Sequence, residues 1–204
     1  MIYEQFITTK KTYFLATSKD ICHKFGLAEF FTRHCIDLEK NLNVLDVGCG
    51  VGPIGIFLSE FYNAKVIGVD IDKKSCNFCK KNISYYNANM KVENINFNLF
   101  KNKKFDLIIS NPPINFIGSK NLINEYQDKN GNDLVDYILD YAKTNKISRI
   151  ILITCDKDFD TKKFILNKIN NFGFYVDSLI SEKLDSNRLG VKENINGFIF
   201  SLKK

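Results

Sequence analysis

The sequence predicts a doubly wound α/β domain: a seven-stranded, mostly parallel sheet with helices on both faces, closed by a C-terminal antiparallel hairpin. Three observations carry that expectation. Short apolar runs alternate with helical patterns along most of the chain, as parallel strands joined by crossover helices do. The first of these runs ends directly in a glycine-rich turn. The last two strand-like runs are joined by a polar link without a helical pattern, so they should pair antiparallel. With 204 residues, 45% hydrophobic and 25% charged, the chain suits one domain over 1–204. That length buries enough core to need no disulfide or metal staple.

Taken in order, residues 1–40 precede the expected first strand as a cap or substrate-side extension, with an amphipathic helix over 25–38. The catalytic core is expected over 41–204. Strands are predicted at 44–47, 65–69, a weaker 91–97, 105–110 and 149–154, from apolar runs rich in Val, Ile and Phe. Helices are predicted at 53–61, 73–86, 133–144 and 160–171. Pro53 suits a first helical turn, Asp72 suits an N-cap, and 133–144 alternates apolar and acidic residues at helical spacing. Strands at 174–183 and 198–202 close the chain, joined by the polar link 184–197, which carries no helix pattern.

Composition excludes some classes. No run approaches the ~20 apolar residues of a membrane span, and the opening Met1-Ile2-Tyr3-Glu4 is unlike a signal peptide, so a cytoplasmic protein is expected. The six cysteines are scattered through apolar stretches and read as reduced core thiols. Cys76 and Cys79 form a CxxC on a predicted helix, with no second pair and only His23 and His34 as further ligands, so no metal is expected. A net charge of +6 is compatible with a nucleic-acid substrate, although the lysines are spread along the chain.

Three motifs carry chemistry. In the first, Val44-Leu45-Asp46-Val47-Gly48-Cys49-Gly50-Val51-Gly52-Pro53, a strand enters a glycine loop and a helix follows. Glycines let the backbone approach a ligand closely, and a helix N-terminus favours negative charge. The spacing is DxGxGxG rather than the dinucleotide fingerprint GxGxxG. The second is Asp70 at the tip of the next strand, followed by Ile71, where a carboxylate can accept both ribose hydroxyls of a nucleoside. The third is Asn111-Pro112-Pro113-Ile114 at the end of strand 105–110. Asn111 Oδ1 and the Pro112 carbonyl can accept the two hydrogens of a planar amino group, and consecutive prolines fix φ at two positions and hold those acceptors still.

The DxGxGxG loop resembles motif I of the class I S-adenosylmethionine-dependent methyltransferases, and five parallel strands followed by an antiparallel hairpin resemble their strand programme. Asn111-Pro112-Pro113 resembles motif IV of those that methylate exocyclic or amide nitrogens. The resemblance implies a Rossmann-like fold with S-adenosyl-L-methionine as cofactor. It implies a cofactor site of Asp46, Gly48, Cys49, Gly50, Gly52, Asp70, Ile71, Asn98, Leu99 and Asn111, and an acceptor site of Asn111, Pro112, Pro113 and Ile114. Two positions depart from the pattern. Ile114 stands where Tyr or Phe is usual, so stacking on a base falls to another side chain such as Phe116. Asn98-Leu99-Phe100 stands where Asp-Leu-Phe is usual, and Asn98 can accept from adenine through its amide oxygen.

The chain looks most similar to the small-domain methyltransferases, a group similar to enzymes that methylate the exocyclic amine of guanine in ribosomal RNA. The expected function is N-methylation of an exocyclic amine of an RNA base in rRNA or tRNA, guanine favoured. Alternatives are a protein glutamine amide, as in the release-factor enzymes, an adenine amine on RNA or DNA, and a non-catalytic methyltransferase-fold subunit. An RNA partner would be held by Lys10, Lys11, Tyr13 and Phe14 and by the loop after Ile114 with Phe116 and Lys120. In the equal alternative, Tyr13 and Phe14 pack on the sheet and the lysines are solvated.

Overall fold

The computed structural model describes residues 1–21, 24–35, 37–101, 104–112, 133–156, 160–189 and 195–204. Its strands are β1 (Ile2–Ile7), β2 (Thr12–Thr17), β3 (Asn43–Val47), β4 (Lys65–Asp70), β5 (Met90–Asn94), β6 (Leu107–Ser110), β7 (Arg149–Asp156), β8 (Tyr175–Leu184) and β9 (Ile195–Lys203). The helices are α1 (Gly26–His34), α2 (Pro53–Tyr62), α3 (Lys73–Tyr86), α4 (Asp133–Thr144), α5 (Asp160–Asn171) and α6 (Ser186–Leu189). Strands β3 to β9 make one seven-stranded sheet in the order β5-β4-β3-β6-β7-β9-β8. The pairs among β3 to β7 are parallel, and β9 runs antiparallel between β7 and β8.

Period-2 alternation assigns each strand's side chains to one of two cores. In β7, Ile151, Ile153 and Cys155 join one core, with residues of α1 and α2, and Ile150 and Leu152 join the other, with α4 and α5. Asp46, two positions on from Val44, lies on the first of these faces.

The structure departs from the sequence expectation in four places. Two strands precede residue 40, forming an antiparallel sheet of their own with Phe6 opposite Tyr13. The N-terminal helix is shorter than 25–38 and ends at His34. The link between the last two strands carries the one-turn α6. The weak fifth strand stops at Asn94, and Phe97–Leu99 forms a 3-10 turn instead.

The small β1–β2 sheet is held by side chains rather than by further strands. On the β1 edge, Ile7 N–H donates to Glu29 Oε1 (2.8 Å) and the Arg188 guanidinium donates to the Gln5 carbonyl (2.7 Å). On the β2 edge, Asn82 accepts from Ala16 N–H (2.8 Å) and donates to Ala16 O (3.1 Å), and the Tyr86 hydroxyl does the same for Phe14 (2.8 and 3.1 Å). Both edges of the ribbon are therefore occupied, which removes the open template that an edge strand presents.

Candidate functional site

Strand register brings three of the predicted residues into one row. Val47 pairs with Val69 on one side and with Ser110 on the other. The next residues, Asp70, Gly48 and Asn111, therefore stand side by side at the carboxyl ends of β4, β3 and β6, spanning about 10 Å at two strand spacings. This is the edge at which open α/β sheets bind ligands, beside the point where strand order reverses. Ser110, which the motif reading passed over, ties the row together: its buried hydroxyl donates to the Val47 carbonyl at 2.7 Å.

Gly48, Gly50 and Gly52 all have positive φ (73°, 55° and 90°). A Cβ at Gly48 or Gly50 would meet nothing within 4 Å, whereas at Gly52 it would lie 2.8 Å from Cys79 Sγ. The first two glycines thus line open space and the third allows the loop to close on α3. The loop amides, however, turn inward. Gly48 and Cys49 N–H donate to Val69 O (2.8 and 3.2 Å), Gly52 N–H to Cys49 O (2.9 Å) and Gly50 N–H to Asp70 Oδ2 (2.8 Å). What the loop offers outward is bare backbone for close approach, not a cradle of free donors.

Two carboxylates flank this loop. Asp70 accepts from Gly50 N–H and from Asp72 N–H (2.9 Å). Burial raises its pKa, and the Asp72 and Gly50 amides oppose the rise. Asn94 Nδ2 donates to the backbone carbonyls of Asp70 and Ile71 (3.0 and 2.8 Å), fixing the strand exit. Asp46 is 2% exposed, and its Oδ2 has no hydrogen-bond partner among the described residues. Burial and then the negative charge of Asp70 push its pKa up to about 7, against a stabilising bond from the Gly55 amide at the start of α2. That bond places an acid at the helix N-terminus already, so α2 directs Gly55 N–H to its own chain.

The remaining predicted residues divide. Asn111 is half-buried and Pro112 buried, while Pro113, Ile114, Phe116 and Lys120 lie outside the described residues. Ile71, Asn98 and Leu99 are exposed at the same carboxyl edge. Cys49 points its thiol into the core, against Gly68, and its hydrogen bond with Cys79, together with burial, holds its pKa well above the usual range. Tyr13 is fully buried and its hydroxyl donates to Glu60 at 3.0 Å, while Lys11 pairs with Glu60 at 2.6 Å. Phe14 and Lys10 face outward. Asn82 was missed by motif reading altogether: besides holding Ala16, it donates to the Val51 carbonyl of the glycine loop at 2.9 Å. The only signal for it was an amide on the inward face of a predicted helix.

A half-buried carboxylate beside a bare glycine backbone suits a ribose diol with an uncharged, closely packed neighbour, and the orphaned Asp46 Oδ2 leaves one acceptor for a cationic group. The residues present therefore fit S-adenosylmethionine. Fold and site together have the arrangement of the class I S-adenosylmethionine-dependent methyltransferases. The family profile of the methyltransferase small domain matches residues 7–128, and the chain belongs to that family.

Relatives agree with that assignment. A release factor glutamine methyltransferase of Fusobacterium nucleatum is 38% identical over 96 residues, covering 42% of this chain and 26% of the relative. A tRNA1(Val) (adenine(37)-N6)-methyltransferase of Bacteroides fragilis is 34% identical over 82 residues, covering 37% and 35%. The chain thus spans about a quarter to a third of the length of these relatives. The Pyrococcus abyssi tRNA (uracil-54, C5)-methyltransferase, a structure with S-adenosyl-L-homocysteine, shares the fold with a TM-score of 0.70. It is 14% identical and covers 99% of this chain and 44% of its own. No helix among the described residues is long and apolar enough to cross a membrane.

Proposed function

We propose that this chain methylates an exocyclic amine of an RNA base. The observation that carries the reading is the row of Asp70, Gly48 and Asn111, which sets a nucleoside-type carboxylate and an amide acceptor about two strand spacings apart. S-adenosylmethionine would supply an activated methyl group on a sulfonium. The chain's own residues do the rest. Asp70 would hold the ribose, and the bare backbone of Gly48 and Gly50 would take the methionine end. Ile71, Asn98 and Leu99 would border the adenine.

An exocyclic amine is a poor nucleophile because its lone pair is delocalised into the ring. Asn111 Oδ1 and the Pro112 carbonyl accept its two hydrogens, turn the lone pair out of conjugation and orient it in line, a gain of positioning. No strong base is required, because the donor is already cationic. The net charge of +6 supports a phosphate-bearing substrate. A glutamine amide presents the same planar nitrogen, and the release factor relative favours it as the second reading.

The test is methyl transfer from radiolabelled donor to total RNA and to total protein, followed by nuclease or protease digestion and nucleoside analysis, which separates guanine from adenine products. Label in nuclease-sensitive material is expected; label confined to protein would replace this reading with the second. Asn111→Ala should lose about 10²–10³ in rate while keeping donor affinity. Full activity in that variant would remove Asn111 from the mechanism.

A further inference from the structure

Helix α3 runs away from the site edge and has an unusual surface. Its fourteen residues include Lys73, Lys74, Lys80 and Lys81 and not one acid. All four lysines are exposed, and only Lys74 has an acidic partner among the described residues, the carboxylate of Asp20. Lys74, Lys81 and Tyr85 recur at helical spacing along one stripe. Tyr85 at the end of that stripe is 78% exposed, far more than an aromatic ring gains by packing. Its ring lies 4.9 Å from that of Tyr86, whose hydroxyl is bonded to the backbone of Phe14. Phe14 is itself 52% exposed and Tyr3 62%, both on the outward face of the β1–β2 ribbon.

Single exposed aromatics need no explanation. Three of them beside a helix that carries four positive charges and no negative ones do. Such a surface combines the two elements that hold a nucleic-acid strand without base pairing: lysines for phosphates and open ring faces for bases. We infer that the outer face of α3, with Tyr85, Phe14 and Tyr3, is a track for single-stranded RNA leading toward the carboxyl edge of the sheet. The inference rests on the RNA reading above for its biological meaning, but not for its test. An acidic protein would need the lysines and gain little from open rings, so RNA is the occupant the rings favour.

The probe is a fluorescent oligouridylate of about a dozen nucleotides, titrated across salt concentrations with unfolding temperature and donor affinity measured alongside. Tyr85→Ala should weaken binding about tenfold or more while leaving the salt slope unchanged, and Tyr85→Phe should retain affinity. Joint Lys80→Ala and Lys81→Ala substitution should make the slope shallower by about 1.4, at about 0.7 per phosphate contact. Donor affinity and unfolding temperature should not move, since all three side chains are exposed.

Three results would overturn the track: no oligouridylate binding by the unaltered chain, binding unchanged in all variants, or polyglutamate competing as well as RNA with Tyr85→Ala without effect. The last would mark a surface for acidic protein. The methyl-transfer assay separates this outcome from the proposed function. Labelled RNA with unaltered binding in the variants would sink the track alone. Labelled protein with ring- and lysine-dependent RNA binding would sink the RNA-base reading alone.

Discussion

The seven-stranded sheet and the two-stranded β1–β2 ribbon solve the same problem by opposite means. In the large sheet, backbone groups satisfy one another across six strand pairs, and side chains such as Ile108, Ile150 and Phe200 only have to fill space. In the ribbon, one strand pair leaves two open edges, and four side chains from three other elements close them: Glu29, Arg188, Asn82 and Tyr86. The large sheet is therefore a cooperative lattice tolerant of conservative change. The ribbon depends on a few polar contacts made between residues 22 to 183 positions apart.

The sharpest way to break this comparison is Arg188→Ala. It would leave Glu29, whose side chain is 6% exposed, without its guanidinium partner, and remove the bond to Gln5 as well. A loss of about 3–5 kcal/mol is expected in urea unfolding, against about 0.5–1.5 kcal/mol for Ile150→Val in the large sheet. Equal losses would mean the ribbon does not depend on its polar edge.

The large sheet has its own polar liability in Asp46. Its folded pKa of about 7 lies above the ordinary carboxylate value, so the native state holds a proton that the unfolded chain releases near pH 4. Stability of the donor-free protein should be greatest at or below about pH 4 as far as this group contributes, fall as pH rises, and level off above about 7. Asp46→Asn should flatten that decline and stabilise the protein at pH 8 by on the order of 4 kcal/mol. An unchanged pH profile between 4 and 8 would show that Asp46 titrates normally.

Asn82 joins the two regions, and Asn82→Ala should cost about 1–3 kcal/mol, because Ala16 and Val51 lose a buried partner. Donor affinity should fall with it, since the lost bond to Val51 anchors the glycine loop. A destabilised variant with normal donor affinity would confine Asn82 to the ribbon. The smallest effect is expected from Tyr86→Phe, about 1 kcal/mol from an exposed hydroxyl contact, read from the unfolding midpoint.

The same contrast explains what was legible in the sequence. The strands of the large sheet announce themselves as apolar runs, because parallel strands buried on both faces have little else to display. Helices α3, α4 and α5 were readable to the residue from caps and periodicity. That Asp70, Gly48 and Asn111 end neighbouring strands was readable too, because each directly follows an apolar run. The ribbon was not readable: Tyr3, Phe14 and Ile7 alternate with polar residues weakly, and nothing local says that Glu29 and Arg188 will cover its edge. Inward-turned amides were equally hidden, since DxGxGxG fixes where the glycines lie but not where their N–H bonds go.

Those amides have a consequence for how a donor would be captured at the proposed site. A loop whose N–H groups are free must wait for a ligand to order it, and binding then carries the entropy of that ordering. Here Gly48, Cys49, Gly50 and Gly52 are bonded within the chain, so the floor of the proposed site is cast in advance of any ligand. A donor bound as proposed would meet a rigid socket, and discrimination between donor and demethylated product would fall to the groups above that floor.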